Sequence, residues 1–135
     1  HHMRVFMDAE KYLKLEKPLI IPLETVPDEL RKKLSNVQVL DYGMSIKNGF
    51  YEFSDKGCVI PNRLVFGYVI SLIHSAKAKR VLLTGFDGYG KNDPRQEEME
   101  NMIELYKLCE DSLDIIAITP STYSIEQSSV YNLSL

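Results

Sequence analysis

Apolar positions along the chain fall into two rhythms. Compact runs rich in β-branched and leucine residues stand at 19–21, between Pro18 and Pro22, at Val37–Gly43, at Val81-Leu82-Leu83-Thr84 and at Ile115-Ile116-Ala117-Ile118. Each is too short for a helix and has strand-forming composition. Between the later runs the period lengthens to that of a helix. Leu64, Val65, Tyr68, Val69, Leu72 and Ile73 make a broad apolar face over Asn62–Lys77, with Asn62 as the candidate cap and the face expected to be buried. Met99, Met102, Ile103 and Tyr106 form the inner side of a second helix over Pro94–Cys109, with Asp93 as N-cap and proline in the first position. A shorter helix opens at Val26-Pro27-Asp28-Glu29-Leu30, with acids in its first turn and Lys32-Lys33 at its end, where both signs suit the dipole. Val5–Met7 reads as a short strand and Ala9–Leu15 as a weak helix. Phe50–Phe53 and Cys58–Ile60 flank Ser-Asp-Lys-Gly as a hairpin or two irregular arms.

Continuous apolar strands separated by amphipathic helices predict an α/β fold: a three-layer, Rossmann-like domain with a mainly parallel sheet and Val81–Thr84 as its central strand. Right-handed crossovers would bring the ends of Val81–Thr84 and Ile115–Ile118 to one edge of the sheet. The loops Gly85–Asp93 and Thr119–Tyr123 would then open side by side, at the edge where such sheets bind small ligands.

Composition narrows the function. The 135 residues are 44% hydrophobic and 26% charged, enough for one packed domain. A net charge of -3 provides no basic face for nucleic acid. Lys77, Lys79 and Arg80 are the densest basic cluster and read as a solvated connection. No apolar run is long enough to span a bilayer and no signal-peptide pattern appears, so no membrane partner and a cytoplasmic location are expected. Cys58 and Cys109 lack metal-ligand spacing and read as reduced thiols. His1-His2-Met3 reads as a tag remnant, leaving residues 4–135 as a single domain taken to be part of a longer protein.

The strongest local signal is Gly85-Phe86-Asp87-Gly88-Tyr89-Gly90-Lys91-Asn92. It fits the G-x-x-x-x-G-K spacing of a phosphate-binding loop but ends in Asn where magnesium needs a Ser or Thr hydroxyl. Asp93-Pro94 also delays the helix beyond the lysine, so no helix amides would face a phosphate there. Nucleotide hydrolysis is therefore not expected. Asp87 reads first as a turn residue accepting backbone N–H bonds. Gly85, Gly88 and Gly90 supply positive φ or close approach. Arg95 opposes the dipole in a helix's first turn, which makes it a better candidate for an anion or partner contact than another surface arginine. His74 has no metal-ligand neighbours, and Tyr51, Tyr68, Tyr106 and Tyr131 read as packing residues. The hydroxyls of Ser121, Thr122, Ser124, Ser128 and Ser129 have no legible base, so no catalytic residue, metal or cofactor is assigned.

From Arg63 through Ser124, the chain resembles the carboxyl-terminal half of the Rossmann-like bacterial sialyltransferases. Gly85-Phe86-Asp87-Gly88-Tyr89, Asp93-Pro94-Arg95-Gln96 and Ile118-Thr119-Pro120 together resemble more closely a domain appended to aldolases of the hydroxymethylglutaryl-CoA lyase type in surface-polysaccharide pathways. The sialyltransferase segment matching the first of these is Gly-Ile-Asp-Phe-Tyr, whose tyrosine contacts the nucleotide-sugar phosphate. Tyr89 and Asp87 match its tyrosine and its acid. The histidine those enzymes carry before the following helix, and their amino-terminal glycine-rich loop, have no counterpart here. The resemblance therefore implies a non-catalytic accessory domain of an aldolase-like enzyme of polysaccharide or sugar-acid biosynthesis. Such a domain would bind a sugar or nucleotide-sugar, or pack on an aldolase barrel in its own chain. The alternative it implies is a small glycosyltransferase-like enzyme using a nucleotide-sugar. Gly85, Asp87, Tyr89, Arg95 and Thr119 are the expected ligand-binding residues.

Overall fold

The computed structural model describes residues 17–90 and 92–132, together with Lys11 and Lys14. The tag reading at 1–3 and the strand expected over 5–7 lie outside the described residues. So does the 9–15 helix, apart from Lys11 and Lys14, which are helical and exposed.

The chain begins with a small βαβ unit. β1 (Leu19–Ile21) pairs in parallel with β2 (Val39–Asp41), and α1 (Asp28–Lys33) makes the crossover. Val26, Leu30 and Leu34 are buried here, with Leu19, Ile21, Val37 and Val39 packed on them. The run expected as one strand over 37–43 is in fact divided. After β2 the chain changes sheet at Tyr42 and continues as β3 (Gly43–Ile46). Tyr42 fixes the break through three groups. Its N–H donates to the Ile21 carbonyl at 3.3 Å, its carbonyl accepts from the Tyr68 hydroxyl at 2.8 Å, and its own hydroxyl donates to the Ser54 carbonyl at 3.1 Å. A strand-forming composition cannot reveal that its residues serve two sheets, because both halves have the same local preference.

β3 pairs in parallel with β5 (Gly57–Ile60), and β4 (Glu52–Phe53) pairs antiparallel with β5, which makes the arms a hairpin. Gly57 allows β3 and β5 to meet closely, since a Cβ there would stand 2.5 Å from the Gly43 carbonyl oxygen. A third sheet has the order β6-β7-β8, all parallel: β6 (Arg80–Leu83), β7 (Asp114–Ala117) and β8 (Glu126–Gln127). The α/β character and the parallel pairing of Val81 with Ile115 are thus present. Hydrogen bonding nevertheless distributes the strands over three small sheets, and β6 lies at an edge while β7 occupies the middle. The short β8 displaces β6 from the centre; Glu126-Gln127 is too brief and polar to register as a strand in the sequence.

Helix α2 (Val65–Ser75) joins β5 to β6, and α3 (Pro94–Lys107) joins β6 to β7. α3 matches its pattern. Asp93 accepts from the Arg95 N–H as cap, and Met99, Met102, Ile103 and Tyr106 are all buried. α2 follows its pattern in part, since Leu64, Tyr68, Leu72 and Ile73 pack against the core. The buried line runs through Gly67, Ile70 and Ser71, whereas Val65 is 64% exposed and Val69 39%. The approach of α3 sets that line: a Cβ on Gly67 would lie 2.5 Å from Met102 Sδ, so the bare glycine lies innermost. Ser71 follows it inward because its hydroxyl is satisfied, donating to the Gly67 carbonyl at 2.8 Å with the Tyr51 hydroxyl 3.2 Å away. Leu64, not Asn62, holds the cap position; Asn62 Oδ1 accepts from the Leu64 N–H at 3.3 Å, and its amide donates to the Glu98 carbonyl at 3.3 Å, tying the start of α2 to α3.

Tyr51, Ile60, Ile70, Val81, Met102, Ile103, Tyr106 and Ile115 belong to one continuous core. Tyr106 is its hub, fully buried, edge-on to Tyr51 at 5.4 Å, with its hydroxyl accepting from the Leu113 N–H at 2.8 Å. Burial and neighbouring charge hold the Tyr51 phenol well above its usual range. Tyr131 differs from the other tyrosines and is 94% exposed.

Two substitutions test this packing by urea unfolding. Ile103→Ala is expected to cost about 2–5 kcal/mol, the range for truncating a fully buried aliphatic side chain. Gly57→Ala sets a methyl group against backbone that cannot rotate away, and is expected to reach the upper part of the roughly 1–3 kcal/mol overpacking range. A loss below about 0.5 kcal/mol for either would contradict the assigned packing.

Candidate functional site

The carboxyl ends of β6 and β7 are continued by the loops that the sequence singles out. Ile118 N–H donates to the Leu83 carbonyl at 2.9 Å, extending the ladder by one step. Beyond it the loops are joined by four bonds. Gly85 N–H donates to Thr119 Oγ1 at 2.9 Å, Ser121 Oγ to the Phe86 carbonyl at 2.7 Å, and Thr122 N–H and Oγ1 to the Asp87 carbonyl at 2.8 and 3.0 Å. Phe86 anchors the first loop from below, stacked on Phe66 at 4.9 Å and tilted against Tyr123 at 4.8 Å.

Gly88 is the tightest point. Its φ of +105° is a conformation that L side chains rarely adopt, and a Cβ would stand 1.9 Å from Thr122 Oγ1 and 3.2 Å from Gln96 Oε1. Gln96, in the first turn of α3, accepts from the Tyr89 N–H at 2.9 Å and donates to Glu100 at 3.3 Å. Both Glu100 carboxylate oxygens accept from the Ser124 N–H, at 3.1 and 3.2 Å, while Lys107 Nζ donates to the Ser124 carbonyl. One helix face therefore holds both loops. Glu100 stands one turn beyond Gln96, and that spacing was the available sign of its role.

At the mouth of the edge, Arg95 Nε and Nη2 donate to the two Asp93 oxygens at 2.9 and 2.5 Å, and the guanidinium lies over the Tyr89 ring at 4.3 Å. The Arg95 hydrogen bonds lower the Asp93 pKa to about 2, and the same pairing raises that of Arg95. Tyr123 behind them is pushed upward, chiefly by burial and then by Tyr89.

The expected site residues are thus assembled in two sets. Gly85 and Thr119 bond each other, and Tyr89 and Arg95 stack on each other. Asp87 is exposed and holds the turn through its carbonyl; its carboxylate takes no backbone N–H among the described residues. Gly85 and Gly88 have positive φ, as expected, and Gly90 does not. His74 is half-buried against Phe53 at 4.2 Å. Cys58 and Cys109 are free thiols, the first buried and both held upward in pKa chiefly by burial. Among the described residues no cluster of His, Cys, Asp or Glu is placed to hold a metal, and no helix is long and apolar enough to cross a membrane.

The structure also contains a cavity that the sequence pattern does not predict. A cavity of about 600 Å³ lies away from the β6–β7 edge, where the ends of β1 and β3 approach the start of α2. The sign of it in the sequence was Leu64-Val65 at the beginning of a helix, read there as part of a buried face. Comparison with protein-family models, with curated proteins and with solved structures gives no significant match.

Two outcomes are expected. Gly88→Ala forces a disfavoured φ against two fixed oxygens, so about 1–3 kcal/mol of stability should be lost and the Tyr89 and Thr122 amides should exchange faster. Asp93 has a lowered native pKa, so its contribution is present above its ordinary pKa of 3.8 and is lost as pH falls towards 2. Asp93→Asn keeps a capping oxygen but removes the charge. Urea midpoints of wild type and this variant should therefore converge between pH 4 and pH 2; a constant separation would contradict the assignment.

Proposed function

We propose that this domain is a non-catalytic accessory module of an aldolase-like enzyme of surface-polysaccharide or sugar-acid biosynthesis, and that it binds a sugar at the shared carboxyl edge of β6 and β7. The observation that carries the reading is the grouping of Tyr89, Arg95, Asp93 and Asp87 around two loops that are cross-bonded at the ends of parallel strands. An aromatic ring beside carboxylate and guanidinium groups suits a hydroxyl-rich ligand, whose ring hydrogens lie on apolar surface while its hydroxyls meet charged acceptors and donors. Because Asp93 already neutralises Arg95, the set favours an uncharged sugar over a nucleotide-sugar phosphate. This narrows the wider expectation of a sugar or nucleotide-sugar ligand, or of packing on the rest of its own chain. The proposal includes a Rossmann-like, three-layer arrangement for the complete domain, supported by the core shared between the β3–β5–β4 and β6–β7–β8 sheets. It also includes a cytoplasmic setting, which two unpaired cysteines suit.

Amide chemical shifts during titration with a neutral hexose, a sugar acid and a cytidine nucleotide-sugar test the reading. The hexose is expected to shift Gly85, Tyr89, Arg95 and Thr119 at millimolar concentration, and Tyr89→Ala to abolish the shifts. No response to any of the three would favour the edge as a packing surface and contradict sugar binding.

A further inference from the structure

We propose that the cavity between β1, β3 and α2 is a binding site for an apolar small molecule carrying a single carboxylate. The proposal stands apart from the β6–β7 edge and does not rest on the sugar-binding reading.

The cavity, of about 600 Å³, falls within the size range of small-molecule sites. Its position follows from parallel topology. Ile21 is the last residue of β1, Ile46 the last of β3, and Arg63 follows the end of β5 at Ile60 by three positions, so the carboxyl ends of three strands with parallel partners converge on it. Ligands of α/β proteins gather at such ends. Its walls are apolar: Val26 and Leu30 close the floor, both buried, with Met44 and Leu64 at the sides. Ile46 and Val65, 41% and 64% exposed, mark the mouth. Large aliphatic residues left open around a concave apolar wall are what an apolar ligand would cover.

The polar groups set the head group. Thr25 and Tyr68 are engaged, donating to the Pro22 carbonyl at 2.9 Å and the Tyr42 carbonyl at 2.8 Å. Arg63 is the one charged residue among those lining the cavity, with no acidic side chain beside it there. Among the described residues, its guanidinium makes no ion pair or hydrogen bond, in contrast to Arg95. The first turn of α2 starts on the same wall without a side-chain cap, and its dipole adds to the charge of Arg63. A guanidinium beside an apolar pocket pairs with a carboxylate in a fork geometry. The length of the apolar lining then accommodates an acyl chain or a small aromatic body.

The probes are decanoate and decanol, added to the full chain and followed by calorimetry and by chemical shifts. Both are expected to shift Met44, Ile46 and Val65, with decanoate bound about tenfold or more tightly, as one charge-assisted interaction provides. Arg63→Gln, at an exposed position, should remove the preference for decanoate and leave decanol affinity unchanged. Val65→Trp, which sets a large ring across the mouth, should weaken both. Thermal midpoints show that each variant is folded. The proposal is overturned if neither compound shifts these residues at millimolar concentration, if the shifts fall on Tyr89 and Thr119 instead, or if Arg63→Gln binds decanoate as wild type does.

Discussion

The register of β6 on β7 is the constraint on which the candidate site depends. With Leu83 opposite Ala117, the two strands end together, and the residues just beyond them are within hydrogen-bonding distance. A slip of one residue would turn each side chain to the other face and separate Gly85 from Thr119. The register is fixed from the core. Val81 and Ile115, directly opposite each other, are both buried, in the same cluster as Ile103 and Tyr106 of α3. The helix that covers the strands also carries Gln96 and Glu100, which hold the loops, so packing and site geometry are imposed by one element.

What was legible in the sequence follows from how local each signal is. Asp93-Pro94 specifies the start of α3 within a few residues, and its apolar positions specify the buried face, because that face is built from large aliphatic and aromatic groups. α2 is legible only in part, for the converse reason. Its core line contains Gly67 and Ser71, whose burial arises from the close approach of Met102 and from partners on Tyr51, and neither is visible in a hydropathy pattern. The division of 37–43 at Tyr42 depends on bonds to Ser54 and Tyr68, residues 12 and 26 positions away. The loops after β6 and β7 are legible because an apolar run that breaks into glycine and polar residues marks a strand end. Which of their atoms act was not: Asp87 holds its turn by its carbonyl, and Arg95 is already paired.

The β6–β7 edge and the cavity between β1, β3 and α2 share a physical origin. Each lies beyond the carboxyl ends of parallel strands, where the chain must leave the sheet and cannot fill the space it vacates. They differ in what fills that space. At the β6–β7 edge the loops bond each other and leave a shallow polar surface of paired charges. At the β3–β5 edge the chain enters α2 almost at once, leaving an apolar recess with an unpaired guanidinium.

The central claim is that the two loops and the first turn of α3 form one cooperative unit built on the β6–β7 register. Native-state hydrogen exchange of the Ile118, Thr122 and Tyr89 amides, in wild type and in Gln96→Ala, tests it most directly. A common opening free energy is expected for Thr122 and Tyr89 in the wild type. Both should fall together in the variant, while Ile118 in the ladder and Leu34 in the separate β1–β2 unit keep their protection. Rapid exchange of Tyr89 beside a protected Thr122 in the wild type, or loss of protection at Tyr89 alone in the variant, would contradict it.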